Sequence, residues 1–118
     1  MFKITMLVKK KAGLSDDEFR VRWQAHSAKV LTFREALRIR HYAKTLPLCA
    51  DQPATLRDTL PFAWDAMGEL WYDSQAECNA ARESAAGQAA LAVLREDEKT
   101  FVDLAQSVLW FGEEIRVV

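Results

Sequence analysis

Residues 15–37, SDDEFRVRWQAHSAKVLTFREAL, carry the strongest structural signals in the chain. Ser15 and Glu18 have the spacing of a capping box, in which each side chain binds a backbone N–H at a helix start. Apolar residues then recur every three or four positions, which is the pattern of one helical face. This stripe consists of Phe19, Trp23, His26, Val30, Phe33 and Leu37. The segment therefore predicts an amphipathic helix with a histidine on its apolar face.

Four other segments have the two-residue alternation of β-strands. They are residues 2–9, 38–46, 67–72 and 108–111, and the last strand is expected to continue through residues 115–118. In the first of these segments, one face is apolar (Phe2, Ile4, Met6 and Val8) and the other is mixed (Lys3, Thr5, Leu7 and Lys9).

A second helical stretch is predicted for residues 74–94, where Ser74 and Glu77 form another capping box. Gly87 interrupts this stretch and predicts a bend or a break, because glycine disfavours a helix interior. The helix is expected to resume over residues 96–104.

The predicted order β-α-β-β-α-β is that of a ferredoxin-like α+β fold, with a four-stranded antiparallel sheet and both helices on one face. We expect residues 1–118 to form a single domain of this kind. The other face would expose Thr5, Leu7, Leu70 and Tyr72, an apolar patch that pairing with a second copy would bury. The sequence therefore predicts a homodimer through the open sheet face.

Composition excludes several classes of function. The net charge of −1 and the isoelectric point near 6.1 argue against a nucleic-acid-binding surface. No apolar run is long enough to span a membrane, so we expect a cytoplasmic protein without membrane contact. Cys49 and Cys78 are far apart and have no zinc-ligand spacing, which predicts free thiols.

The proline-containing residues 47–64 predict a long loop, either a binding loop or a surface excursion.

Several pieces of the chain together resemble the EthD family of small dimeric α+β barrel proteins. They are KKKAGLSDDEF at residues 9–19, the helix with Phe19, Trp23 and His26, Tyr42 in the second strand, DAMGELWYDS at residues 65–74, and Phe101-Val102-Asp103. Two positions differ from the usual family pattern. Trp23 and His26 are one residue closer together, and Ala66 replaces the glycine that usually follows the aspartate.

The resemblance implies a small-molecule pocket between the sheet and the helices. It also implies cofactor-independent proton-transfer chemistry, of the isomerase, cyclase or decarboxylase type, on a small apolar or aromatic substrate. The alternative is a non-catalytic ligand-binding or accessory protein of a catabolic or biosynthetic pathway.

Three residues are candidates for this chemistry. His26 can exchange protons at neutral pH, although a histidine on an apolar stripe can equally be a core residue satisfied by a hydrogen bond. Tyr42 could bind a substrate oxygen or simply pack its ring. Glu69, in the middle of the third strand, could partner His26 or form an ion pair with a neighbouring basic residue.

Aromatic and thioether side chains provide the candidate ligand-binding surface, namely Met6, Phe19, Trp23 and Trp71. Aromatic residues at these spacings are more often core residues. His26 and His41 are the only histidines, and no acidic or cysteine cluster accompanies them at ligand spacing. We therefore expect neither a metal nor an organic cofactor.

Overall fold

The computed structural model describes residues 1–48 and 57–118. Within them the elements follow in the order β1 (Phe2–Val8), α1 (Asp16–Thr32), β2 (His41–Thr45), β3 (Ala66–Tyr72), α2 (Gln75–Glu83), α3 (Ala85–Glu98), a 3₁₀ helix (Leu104–Gln106) and β4 (Val108–Glu113). The strands form one antiparallel sheet in the order β2-β3-β1-β4. The predicted ferredoxin-like fold is confirmed, with the second helical region divided into two helices.

The helix α1 begins as predicted but ends earlier. The Ser15 hydroxyl accepts a hydrogen bond from the Glu18 backbone N–H at 3.1 Å. Phe19, Trp23, His26 and Val30 are the buried residues of α1. The helix ends at Thr32, and Arg38 adopts a positive φ of 55° as the chain turns towards β2. Leu37 is still buried, so this turn, rather than a longer helix, places it in the core.

The break between α2 and α3 lies at Ser84, one turn before the predicted bend or break at Gly87. Ser84 ends α2, and its hydroxyl accepts a hydrogen bond from the Gly87 backbone N–H at 3.0 Å. A Cβ atom at Gly87 would lie 1.8 Å from the Ala81 carbonyl oxygen. Gly87 therefore permits the close approach of two consecutive helices and does not itself bend one.

Three other predicted boundaries are wrong. The strand predicted for residues 38–46 is confined to His41–Thr45, and α3 ends at Glu98 instead of reaching residue 104. Residues 115–118 are not part of β4. Cys49 and residues 49–56 of the predicted loop lie outside the described residues. No helix in the described ranges is long and apolar enough to cross a membrane.

The strand register defines the two faces of the sheet. Ile4 pairs with Leu70, and Phe2 pairs with Tyr72, so all four side chains lie on the face covered by the helices. The prediction that Leu70 and Tyr72 belong to the open face is therefore wrong. Thr5 lies on the open face, opposite Glu69 on one side and Trp110 on the other.

Candidate functional site

A cavity of about 350 Å³ lies between the helix-covered face of the sheet and the helices; we call it the inner cavity. Every α-helix and every strand contributes to its wall, which is predominantly apolar. The ionisable side chains on the wall include His26, Tyr42, Arg82, Arg95 and Glu98. Small-molecule sites typically have volumes of roughly 300–1,000 Å³, so this space can hold a compact ligand.

His26 connects the cavity wall to the end of α3. Its Nδ1 atom lies 2.8 Å from Oδ2 of Asp97. The other carboxylate oxygen of Asp97 accepts a hydrogen bond from Lys29 Nζ, also at 2.8 Å. The His26 ring packs against Phe101, with 5.2 Å between the ring centroids, and the residue is only 7% exposed.

The charge of Asp97 determines which ring nitrogen of His26 carries hydrogen. The hydrogen bond from Lys29 lowers the pKa of Asp97, and the bond from His26 lowers it further, against the opposing effect of burial. Asp97 is therefore ionised at neutral pH, and an ionised carboxylate can only accept hydrogen bonds. It follows that Nδ1 of His26 is the donor. In the neutral ring, Nε2 then has a lone pair that can accept a proton.

Glu98 follows Asp97 at the end of α3 and is a residue of the cavity wall. Burial raises the pKa of Glu98, while the nearby His26 and Arg95 partly oppose this effect. A carboxyl group with a raised pKa is a better proton donor near neutral pH than an exposed one. His26 and Glu98 are thus two titratable residues on the wall of one largely apolar cavity.

Tyr42 is anchored to α1 from the neighbouring strand. Its hydroxyl oxygen lies 3.0 Å from Oγ of Ser27, and Ser27 in turn donates a hydrogen bond to the Trp23 carbonyl at 2.9 Å. Because the single hydroxyl hydrogen of Ser27 is used in that bond, Tyr42 is the donor to Ser27. Burial raises the pKa of Tyr42, and the charge of Glu98 also contributes to the increase.

Two of the predicted ligand-binding residues, Met6 and Trp23, line the cavity. Gly68 makes room for the indole, because a Cβ atom at this position would lie 3.3 Å from Trp23 Cζ2. Phe19 lies behind Trp23 and packs against it and Phe101, with centroid distances of 5.5 and 6.0 Å. Phe19 is a buried supporting residue and is not part of the cavity wall.

The side chains of Glu69 and Trp71 are not brought together with His26. Although residue 69 borders the cavity, Glu69 Oε2 binds Lys3 Nζ at 2.7 Å on the open face of the sheet. The Lys3 ammonium group also lies 5.2 Å from the Trp71 ring centroid, and Trp71 Nε1 donates to Glu114 at 2.8 Å. Of the two alternatives for Glu69, the ion pair with a basic residue of a neighbouring strand is the one observed, and the pairing with His26 is not. Successive strand residues point to opposite faces, and Gly68 and Leu70 occupy the covered one.

Sequence reasoning missed Asp97 and Glu98, which are the acidic partners of this site. Glu98 could have been found, because Ala90, Leu94 and Glu98 follow one another at the four-residue spacing of one helix face. Ala90 and Leu94 are buried, so this face is directed towards the core. Asp97 lies 71 residues from His26 in sequence, and no local pattern indicates their contact.

Within residues 1–48 and 57–118, no group of three histidine, cysteine or acidic side chains is arranged to hold a metal ion. The other histidine, His41, lies on the open face and contacts the Trp71 ring at a centroid distance of 4.9 Å.

Solved structures with the same fold come from different families. An EthD family protein from Bacillus halodurans is 18% identical, covers 98% of this chain and 99% of its own, and has a TM-score of 0.65. A dimeric protein of unknown function from Bacteroides fragilis is 11% identical. The match covers 96% of this chain and 95% of that protein, with a TM-score of 0.62. A DABB family protein with a ferredoxin-like fold from Mesorhizobium loti is 10% identical. The match covers 98% of this chain and 97% of that protein, with a TM-score of 0.58.

At these identities the structural similarity establishes the fold alone. No functionally curated protein matches the sequence. The EthD domain, however, matches residues 11–105, which include His26, Tyr42, Asp97 and Glu98. The chain therefore belongs to the EthD family.

Proposed function

We propose that this protein catalyses cofactor-independent proton transfer on a small apolar or aromatic substrate bound in the inner cavity. The reaction is of the isomerisation, cyclisation or decarboxylation type, and His26 is its general base. The observation that carries this proposal is the 2.8 Å contact between His26 Nδ1 and Asp97 on the wall of a cavity of about 350 Å³. A histidine in such an arrangement has a fixed tautomer and a free nitrogen beside the substrate space.

The first step uses Nε2 of His26 to remove a proton from a carbon acid, such as the carbon next to a carbonyl group. The positive charge that forms on the imidazole is stabilised by the Asp97 carboxylate through Nδ1–H. Lys29 also binds Asp97, which keeps the carboxylate ionised and its oxygens fixed. The electron pair left by the proton moves onto the carbonyl oxygen as an enolate.

Glu98 is suited to the second step. Burial raises the pKa of Glu98, so its protonated form can donate to the enolate oxygen or to a different carbon. Two groups with separated positions and different pKa values allow a proton to leave one atom of the substrate and return at another. That sequence is an isomerisation, and with an internal electrophile it becomes a cyclisation.

Trp23 and Met6 provide the apolar contact surface for the substrate. The Tyr42 hydroxyl donates to Ser27 and its oxygen also interacts with the Trp23 side chain, which leaves one lone pair to accept a hydrogen bond from a substrate hydroxyl group. Tyr42 thus orients the substrate in this mechanism, and His26 and Glu98 exchange protons with it.

The second candidate function is non-catalytic ligand binding. Phe101 covers one side of the His26 ring, and His26 is almost fully buried. This packing is also what a structural histidine with a satisfied hydrogen bond would show. The two functions differ in whether proton exchange in the cavity depends on His26.

Deuterium exchange of a carbon acid measures this directly. The probe is 2-tetralone in D₂O, whose benzylic α-protons exchange at a rate that proton NMR follows. The proposal predicts that the wild-type protein accelerates the exchange and that His26→Gln lowers the enzymatic rate ~10²-fold or more. His41→Gln is the matched control, since this histidine is exposed on the opposite face of the sheet. An unchanged rate in His26→Gln, with the probe still bound, would favour the non-catalytic function.

We further propose that two copies of the chain pair through their open sheet faces. Trp110 and Val108 lie on this face and are 50% and 39% exposed. The Thr5 hydroxyl in its centre is buried without a hydrogen-bond partner among the described residues. Exposed apolar surface on a sheet is commonly buried in an interface. The Bacteroides fragilis protein of the same fold is described as dimeric, which also supports this arrangement.

A further inference from the structure

A second concave site, which we call the outer groove, lies between α1 and the edge strand β2. Its volume is about 300 Å³. Its wall includes Ser27, Leu31, Arg34, Arg40, Ala43 and Lys44. It shares three wall residues with the inner cavity, namely Val30, Ile39 and Tyr42. The two spaces are therefore adjacent, and the side chains between them belong to both.

The ionisable residues of the outer groove are basic, apart from the phenol of Tyr42. Arg34, Arg40 and Lys44 carry positive charge, His41 is the fourth basic residue, and no acidic residue is part of the wall. Arg40 Nε lies 3.4 Å from Asp73 in an exposed ion pair. Arg34 uses Nε and Nη2 to bind the carbonyl oxygens of residues 39 and 40, at 3.2 and 3.3 Å.

Lys44 has a different environment. Its ammonium group lies 5.2 Å from the ring centroid of Trp23, which is part of the inner cavity wall. Within the described part of the chain, no carboxylate lies within ion-pair distance of Lys44. Partial burial, without a compensating anion, lowers the pKa of this ammonium group. The unpaired ammonium group of Lys44 therefore lies over the Trp23 ring, where the outer groove adjoins the inner cavity.

We propose that Lys44 binds the carboxylate of the substrate, whose apolar or aromatic body occupies the inner cavity beside Trp23. This proposal rests on the proposed function only in taking the inner cavity as the substrate site. A monoanion fits better than a phosphate group, because the Nε and Nη2 donors of Arg34 already bind backbone carbonyls and Arg40 pairs with Asp73. Among the outer-groove cations of the described residues, Lys44 is the one whose ammonium group makes neither an ion pair nor a hydrogen bond, which suits a single carboxylate.

The proposal defines the substrate class as small aromatic or aliphatic acids. A carboxylate at Lys44 would fix one end of the molecule at the junction of the two spaces. The remaining carbon skeleton would extend along Trp23 towards His26 and Glu98. Such anchoring limits the orientations available to the reacting carbon.

Two probes of the same shape test the charge preference. These are 2-naphthoate and its neutral amide, 2-naphthamide, and their dissociation constants can be measured by NMR titration. The wild-type protein is expected to bind the carboxylate about tenfold more tightly than the amide, as for a charge-assisted hydrogen bond. Raising the salt concentration should reduce this ratio, since Lys44 is exposed at the surface.

Lys44→Met should reduce the ratio to about one, because the charge that favours the carboxylate over the amide is lost. Lys44→Gln provides a polar replacement with the same expectation. Lys11→Met is the matched control, since Lys11 binds the Lys99 carbonyl and belongs to neither space, and it should keep the wild-type ratio.

His26→Gln separates this proposal from the proposed function. It should retain the preference for the carboxylate even though proton exchange is lost. Equal binding of the two probes by the wild-type protein, binding of neither probe, or a preference that survives both Lys44 substitutions would overturn the carboxylate site. None of these outcomes depends on the catalytic role of His26.

Discussion

Nδ1 of His26 lies 2.8 Å from Oδ2 of Asp97, and this contact joins the buried face of α1 to the last turn of α3. The pair has the chemical features of a general base and its orienting carboxylate. Lys29 binds the same carboxylate from the outside, where its own side chain is 49% exposed. The Lys29 side chain therefore faces solvent on one side of Asp97, whereas His26 lies on the cavity wall on the other.

Replacing Asp97 tests this arrangement. Asp97→Asn should lower the rate of 2-tetralone exchange ~10²-fold or more, because an amide can donate to Nδ1 and thereby favour hydrogen on Nε2. The measurement is proton NMR of the probe in D₂O. Glu96→Gln is the control, since Glu96 is exposed and pairs with Lys99. Wild-type exchange in Asp97→Asn would mean that the carboxylate does not orient the base.

Asp97 and Glu98 should affect stability in opposite directions as the pH changes. The pKa of Asp97 is lowered from 3.8, so its contribution is present above this value and is lost as the pH falls through the lowered pKa. The pKa of Glu98 is raised from 4.5, so stability is greatest below this value and falls as the pH rises through the raised pKa.

Urea unfolding between pH 3 and 7 checks both statements. The stability difference between wild type and Asp97→Asn should shrink as the pH falls below 3.8. Glu98→Gln should become more stable relative to wild type as the pH rises above 4.5, because the buried charge is removed. Parallel stability profiles for all three proteins would contradict the assigned environments.

How much of this site the sequence reveals depends on the kind of pattern involved. The capping box and the apolar stripe of α1 are local, so His26 and Trp23 could be placed on a buried face from sequence. The contact with Asp97 is not local. It depends on how α3 packs against α1, and helix packing geometry cannot be read from the periodicity of one helix.

The faces of β3 illustrate a second limit. Alternation correctly placed Glu69 and Trp71 on one face and Leu70 on the other, but it could not identify the covered face. The pairing of Leu70 with Ile4 settles this, and a shift of one residue would reverse it. The apolar character of both faces of β3 is what made the sequence ambiguous.

Gly87→Ala should destabilise the protein by about 2–3 kcal/mol, because the new Cβ atom would overlap the Ala81 carbonyl oxygen and force the two helices apart. In an ordinary helix interior the same substitution would increase stability by about 1 kcal/mol. Urea unfolding distinguishes these two cases by the sign of the change in the free energy of unfolding. A stabilised variant would show that α2 and α3 are not packed as closely as described.

Trp110→Glu should weaken the proposed dimer by at least about tenfold in its dissociation constant, since a charge would replace an aromatic ring in the interface. Trp110 is half exposed in a single copy, so the substitution should have little effect on the fold itself. Val21→Glu is the control, because Val21 is 67% exposed on α1. Light scattering over a range of concentrations measures the dissociation constant. A wild-type protein that is monomeric at micromolar concentration would contradict the proposed pairing.

The tautomer of His26 tests the central claim most directly, and it requires no knowledge of the substrate. Nitrogen-15 NMR of the histidine-labelled protein, at a pH where the ring is neutral, reports which nitrogen carries hydrogen. His26→Gln identifies the signals, and His41 provides an internal reference on the other side of the sheet. We predict hydrogen on Nδ1 and a lone pair on Nε2 in the wild type, with the opposite tautomer favoured in Asp97→Asn. Hydrogen on Nε2 in the wild type, or the same tautomer in both proteins, would contradict the assignment of His26 as a base held by Asp97.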